Sequence, residues 1–220
     1  MVDWQPLFLT FELASVTTVI LFCIGVPFAW WLSQTRIRCK PAIEALVAMP
    51  LVLPPSVLGF YLLLAFSPNN WFGQWLDQAA GLRLAFSFEG LVVASCLFSF
   101  PFLVHPVQAG FQNLPASYAE AAYILGKSRW VTFLRVLLPN IKPALLSGTV
   151  LAFAHTIGEF GVVLMIGGNL PGETRVASIA IYDEVESLNY AAANAYAGVL
   201  FCLSFLILLL VYATNRRALK

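Results

Sequence analysis

Long stretches of apolar residues, separated by short polar segments, dominate the pattern of this chain. Each stretch has 20 or more residues, the length at which an α-helix crosses about 30 Å of hydrocarbon. None shows the alternation of polar and apolar residues that a membrane β-strand requires. The pattern predicts five transmembrane helices, at Phe8–Leu32, Ala42–Phe66, Gly90–Phe111, Pro143–Ile166 and Asn194–Thr214.

Composition and charge agree with an all-α membrane protein. Hydrophobic residues make up 60% of the chain and charged residues 10%, whereas about a quarter of a soluble domain is charged. The net charge of +1 provides no basic field, so we expect the lipid bilayer and not nucleic acid as a partner. The chain is predicted to be a multi-pass protein of the plasma membrane, which is the inner membrane of a Gram-negative cell.

The basic residues predict the orientation of the spans. Of the twelve Lys and Arg residues, only Arg83 and Arg175 fall in the two loops assigned to the outside. Cytoplasmic loops are enriched in Lys and Arg, so the N-terminus is predicted outside and the C-terminus inside. The remaining ten share one side: Arg36, Arg38, Lys40, Lys127, Arg129, Arg135, Lys142, Arg216, Arg217 and Lys220.

The sequence predicts neither a metal site nor a bound nucleotide. The four cysteines have no CxxC or Cys/His spacing. Gly126-Lys127-Ser128 resembles the end of a phosphate-binding P-loop, but Ala121 stands where that motif needs glycine. We therefore expect no cofactor in this chain and no enzymatic activity of its own.

The longest cytoplasmic segment, residues 113–139, contains two predicted helices. Pro115 and Glu120 are typical of a helix start, because proline fits the first turn and the helix dipole favours an acid there. Gly126 is predicted to end this helix. A second, amphipathic stretch then leads to Pro139.

The same segment resembles the EAA loop of ABC importer permeases. Glu120-Ala121-Ala122, then Gly126, Val136 and Leu138-Pro139, keep the spacing of that motif, with Val136 in place of the usual isoleucine. The resemblance implies a type I importer permease fold, a single transmembrane domain over residues 8–214, with the segment acting as a coupling helix. It also implies that contact with the ATPase is made by Glu120, Ala121, Ala122, Gly126, Leu138 and Pro139.

Further motifs resemble the molybdate permease subunits within that family. They are Met49–Pro55, Gly158–Gly161, Asn169–Arg175 and Ala180–Tyr182; sulfate and tungstate permeases share a looser form of them. The resemblance implies import of a tetrahedral oxyanion, molybdate first and sulfate or tungstate as alternatives. It further implies a homodimer, two cytoplasmic ATPase subunits that hold ATP and Mg²⁺, and a substrate-binding protein outside.

Two ionisable residues interrupt the fourth span, and intramembrane ionisable residues often have a function. His155 and Glu159 are four residues apart and are expected on one helical face. Three interpretations stay open: a local hydrogen-bonded pair or packing contact, the lining of a pathway near a two-fold axis, or the relay of a proton-coupled anion carrier. The last would make the protein a different class of transporter.

Glycine and proline mark candidate gate elements. Gly158 and Gly161 flank Glu159 and allow close helix approach or an unwound turn. Pro54 and Pro55 remove two backbone donors from the second span, so a kink is expected near its middle. This kink is either a hinge for alternating access or a fixed packing feature.

The two external loops have different patterns. Residues 67–89 are expected to contain a short interfacial helix carrying Trp71 and Trp75. Residues 167–193 are acidic, and part of this loop, residues 179–186, is expected to be helical. The acids form either a solvated outer face or a docking surface for a soluble partner.

Overall fold

The computed structural model describes residues 3–218, so Lys220 of the predicted cytoplasmic cations lies outside the described residues. Helices joined by short turns and loops make up this part of the chain. In chain order they are α1 (Gln5–Gln34), α2 (Lys40–Val52), α3 (Pro55–Phe66), α4 (Trp71–Ala80), α5 (Phe88–Gln112), α6 (Ser117–Ile124), α7 (Arg129–Thr132), a π-helical stretch (Phe133–Leu137), α8 (Leu138–Asn140), α9 (Lys142–Ile157), α10 (Gly161–Gly167), α11 (Ala177–Glu186) and α12 (Tyr190–Ala218).

Within this described part, α1, α5 and α12 are each long and apolar enough to cross a membrane. Two bent helix pairs, α2 with α3 and residues 129–140 with α9, raise the number to five if each is one span. Five spans therefore fit the structure by length and composition, and in the second pair it is α9, not residues 129–140, that coincides with the predicted fourth span. Two of the predicted helices are not continuous.

The predicted second span is broken, not merely kinked. α2 and α3 meet at an angle of 111° across Leu53 and Pro54, both of which have extended backbone. A proline forces the preceding residue out of the helical region, and Pro54-Pro55 does so at two successive positions. The pair of prolines therefore ends one helix and begins the next.

The predicted fourth span, Pro143–Ile166, is also broken. α9 ends at Ile157 and α10 begins at Gly161, with Gly158, Glu159 and Phe160 between them. The backbone N–H of Glu159 bonds only back to the carbonyl of Thr156, at 3.4 Å, which closes the helix end. The unwound turn that the two glycines allowed is the conformation observed.

The bundle is built around α1, α5 and α9, which pack against one another. Two large hydrophobic clusters fill most of it, and a third, smaller one contains Leu7, Ala177, Ala180 and Tyr196. One large cluster, beside the coupling loop, contains Leu32, Val104, Phe111, Phe133 and Leu137; the other, at the opposite end, contains Leu13, Leu91, Val162, Ile166 and Ile179. The Thr10 hydroxyl accepts a 2.8 Å bond from the N–H of Ala177, which fixes α11 to α1.

The predicted helices outside the spans are present. α4 carries Trp71 and Trp75 on exposed positions, as an interfacial helix would. α11 covers the acidic stretch predicted at residues 179–186.

Candidate functional sites: the coupling segment and the broken-helix cavity

The coupling segment, residues 113–139, exposes one side of α6. Ala122 is buried at 5% exposure, whereas Glu120 and Ala121 are exposed and Ile124 is 86% exposed. The helix closes with Gly126 at φ +71°, and the N–H of Lys127 bonds back to the carbonyl of Ala122 at 3.0 Å. This closing motif needs a left-handed residue, which explains the glycine.

An open apolar depression of about 450 Å³ lies beside α6. Ala121, Ala122, Leu125 and Val136 are among its lining residues, together with Ser117 and Tyr118. The two alanines leave room that larger side chains would fill. An apolar surface of this kind, open to the solvent, fits a protein partner.

Aromatic rings fasten the coupling segment to the bundle. Phe133, 3% exposed, stacks on Trp30 of α1 with ring centroids 4.6 Å apart and lies 6.0 Å from Phe111 of α5. Leu138 packs on the same cluster, and Pro139 is exposed near the 81° bend into α9. The part of the segment that follows α6 is therefore anchored to α1 and α5.

The two helix breaks lie against each other. A Cβ placed on Gly161 would be 2.8 Å from the Cβ of Pro55, and one on Gly59 would be 2.8 Å from the Cβ of Met165. Real Cβ atoms essentially never come this close. The start of α10 therefore packs on the start of α3 through glycine on each side.

His155 and Glu159 do not share a helical face, because α9 ends between them. Each bonds to α5: the Ser99 hydroxyl lies 2.9 Å from His155 Nδ1, and the Ser95 hydroxyl donates to Glu159 Oε2 at 3.1 Å. The other carboxylate oxygen, Oε1, is buried without a hydrogen-bond partner among the described residues. Of the open interpretations, the first takes its second form: the two residues do not pair with each other, and each contacts the neighbouring helix α5.

A cavity of about 650 Å³, the broken-helix cavity, brings the predicted gate residues together. Its lining includes Pro55, His155, Gly158, Glu159 and Gly161, with Ser56, Phe98, Ala154 and Phe160. Pro54 is not among the lining residues and acts by setting the break before α3. In the described part of the chain, no three His, Cys, Asp or Glu residues are placed to hold a metal ion.

The external acidic loop is internally ordered. Asn169, at φ +60°, donates to Asp183 at 2.8 Å and accepts from Arg175 Nε at 2.7 Å. On α11, the hydrogen bond from Tyr182 to the Glu186 carboxylate raises the pKa of the Tyr182 phenol. The acids are therefore held in fixed places on the outer face.

Comparison with known proteins identifies the family. A family model described as the binding-protein-dependent transport system inner membrane component matches residues 15–220. The chain belongs to this family. It is accordingly an inner-membrane permease subunit of an ABC importer, a class of protein that is not itself an enzyme.

Several curated relatives of the permease carry transport names. The molybdenum transport system permease ModB of Azotobacter vinelandii is 49% identical over 97% of this chain and 95% of its own. The sulfate transport system permease CysT of Escherichia coli is 35% identical over 93% of this chain and 73% of its own. A putative molybdenum transport system permease of Bacillus subtilis is 33% identical over 94% of this chain and 92% of its own.

Solved structures confirm the type I importer fold of the permease. A bacterial alginate ABC transporter aligns with a TM-score of 0.79 over 98% of this chain and 79% of that chain, at 18% identity. The inward-facing methionine transporter MetNI aligns with a TM-score of 0.73 over 97% of this chain and 94% of that chain, also at 18% identity.

The sequence analysis did not predict the hydrogen-bond partners of His155 and Glu159. Ser95 and Ser99 of α5 hold Glu159 and His155, and the Ser178 hydroxyl of α11 donates to the backbone carbonyl of Glu159 at 2.6 Å. A signal was available, since Ser95 and Ser99 are four residues apart in an apolar helix and lie on one face. Their partner could not be read from that spacing.

Proposed function

We propose that this permease forms the translocation pathway for a tetrahedral oxyanion, molybdate in the first place. The observation that carries the proposal is the 49% identity to a molybdenum permease over 97% of the chain. Sulfate is the second candidate, because sulfate permeases are 35% identical over most of the chain. Family membership favours an ATP-driven importer over the proton-coupled carrier that His155 and Glu159 left open.

Uptake into reconstituted vesicles tests the substrate. The vesicles contain the permease with its ATPase and binding protein, and radiolabelled molybdate and sulfate are supplied separately. We expect ATP-dependent molybdate uptake that excess tungstate inhibits and excess sulfate does not. Faster uptake of sulfate than of molybdate would make sulfate the substrate. Uptake without ATP would favour the proton-coupled carrier instead.

The coupling segment is proposed as the contact with the ATPase. Exposure of Glu120, Ala121 and Ile124 on one side of α6, beside the apolar depression, supports this role. Leu138 and Pro139 would pass the movement into α9, and Gly126 would keep the end of α6 tight. ATP and Mg²⁺ would be held by the ATPase, and this chain would supply no ligand to them.

The Glu120→Arg variant tests this contact. Reversing an exposed charge leaves the fold intact but opposes docking, so we expect loss of co-purification with the ATPase. Glu89→Arg, an equally exposed acid at the start of α5, is the control and should co-purify normally. Equal association of both variants would show that α6 is not the main interface.

The broken-helix cavity is proposed as part of the gate. Its position between the two helix breaks supports the proposal, because a short unwound turn changes conformation more easily than a helix. His155 and Glu159 would line the pathway, with Pro54, Pro55, Gly158 and Gly161 allowing the change. We expect His155→Ala and Glu159→Gln to lower uptake while ATPase association stays normal; unchanged uptake in both would remove them from the pathway.

Two copies of the permease are proposed to form the membrane unit, with two ATPase subunits below and the binding protein on the outer loops. Exposed apolar side chains on α3 and α12, such as Phe60, Tyr61 and Phe201, leave surface available for a second copy. Mass measurement of the purified complex tests this stoichiometry. A single permease chain per complex would contradict it.

A further inference from the structure

A second cavity, here called the interfacial cavity, opens between the end of α1 and the coupling segment. Its volume is about 480 Å³, and its wall is both polar and apolar. It is separate from the broken-helix cavity and from the depression beside α6, with which it shares no lining residue. Its lining residues are Trp30, Trp31, Gln34, Tyr123, Arg129 and Trp130.

Donor groups predominate in the lining of this cavity: Arg129 and three indoles only donate, whereas the amide of Gln34 and the hydroxyl of Tyr123 can donate or accept. Arg129 is exposed and forms no ion pair with a carboxylate of the described residues. A guanidinium has five N–H donors in a fork that matches phosphate. The cavity therefore suits a ligand with a negative charge and several acceptor oxygens.

Its position fits the cytoplasmic surface of the membrane. α1 ends at Gln34 and is followed by Arg36 and Arg38, two of the cations that indicate the inner side. Tryptophan and tyrosine are enriched at the level of the lipid headgroups. The two tryptophans at the end of α1 therefore lie where headgroups are expected.

The apolar side of α1 leads into the cavity. Ile24 is 61% exposed and Trp31 is 44% exposed. They are seven residues apart, which places them on the same side of the helix, two turns from one another. An acyl chain can lie along this side while its headgroup reaches Arg129.

We propose that the interfacial cavity binds the headgroup of an anionic phospholipid from the cytoplasmic leaflet. The phosphate lies against Arg129, the aromatic rings enclose the glycerol region, and the acyl chains follow α1. Basic pockets beside membrane helices on the cytoplasmic side are suited to such headgroups. The lipid touches both α1 and the coupling segment, so the lipid composition acts on the element proposed to meet the ATPase.

Lipid titration followed by native mass spectrometry tests the site. The full-length permease, delipidated in detergent, is titrated with phosphatidylglycerol or with phosphatidylcholine. We expect preferential binding of phosphatidylglycerol, weakened about fivefold by Arg129→Gln, since one cation near the surface contributes about 1 kcal/mol. Arg135→Gln is the matched control, because it removes the same charge from an exposed position that does not line the cavity.

Three results would overturn the proposal. Equal weakening by Arg129→Gln and Arg135→Gln would indicate general attraction to a basic surface. Equal binding of phosphatidylglycerol and phosphatidylcholine would show that the site does not select for a negatively charged headgroup. Displacement of the lipid by free glycerol phosphate at similar concentration would identify a soluble phosphate ester as the ligand. The test does not depend on which oxyanion is transported.

Discussion

The coupling segment and the broken-helix cavity are built in opposite ways. The coupling segment keeps its functional candidates outside, with Glu120 exposed, and holds its position through buried aromatic rings such as Phe133. In the broken-helix cavity the candidate residue, Glu159, is 4% exposed; its carboxylate accepts a hydrogen bond from Ser95 of α5 and its backbone carbonyl accepts one from Ser178 of α11. A partner can reach Glu120 directly, whereas the buried Glu159 must change its surroundings before it meets solvent.

This difference fits the two proposed roles, a stiff coupling element (the lever) and a gate. A lever must be stiff, and close packing of large rings makes the coupling segment stiff. A gate needs an element with more than one arrangement, and an unwound turn between two short helices provides one. The two regions are connected through α9, which begins beside the coupling segment and ends at the cavity.

The largest expected effect is on the lever. Phe133→Ala leaves a void beneath Trp30 and should lower the free energy of unfolding by about 3–5 kcal/mol. Leu134→Ala, at the next position and 56% exposed, is the control and should change little. Denaturation of both variants in detergent measures the difference, and similar stabilities would mean that the aromatic stack does not anchor the segment.

The next effect separates two glycines of the gate. A Cβ at residue 161 would lie 2.8 Å from Pro55, whereas at residue 158 the nearest atom is 3.8 Å away. Gly161→Ala should therefore destabilise the chain by about 1–3 kcal/mol and reduce uptake. Gly158→Ala should be tolerated. Equal tolerance of the two changes would show that the helix breaks are not tightly packed.

The smallest effect concerns one buried hydrogen bond. A double-mutant cycle of Ser95→Ala and Glu159→Ala should give a coupling of about 0.6 kcal/mol, the average for such bonds between membrane helices. The uptake rate should fall by more than this stability change alone explains, if the bond sets the state of the gate. Uptake that follows stability in proportion would reduce Ser95 to a structural role.

Local patterns predicted the spans and the short helices of residues 113–139 well. Apolar length alone indicated where α1 and α5 lie, and Gly126 marked the end of α6, because a left-handed residue at that place is a local requirement. The breaks were predicted less well. Proline and glycine signalled weak points, but the 111° angle at Leu53–Pro54 depends on what α3 packs against.

The sequence by itself determined that this protein crosses the membrane, that ten of its twelve cations fall on one predicted side, and that residues 113–139 contain short helices. Each of these depends on residues that are near one another along the chain. Only the tertiary structure decided that Pro55, His155, Glu159 and Gly161 line one cavity and that Ser95 and Ser99 hold the two ionisable groups. The reason is that these contacts join α3, α5, α9 and α10, and spacing within a helix does not say which helix packs beside it.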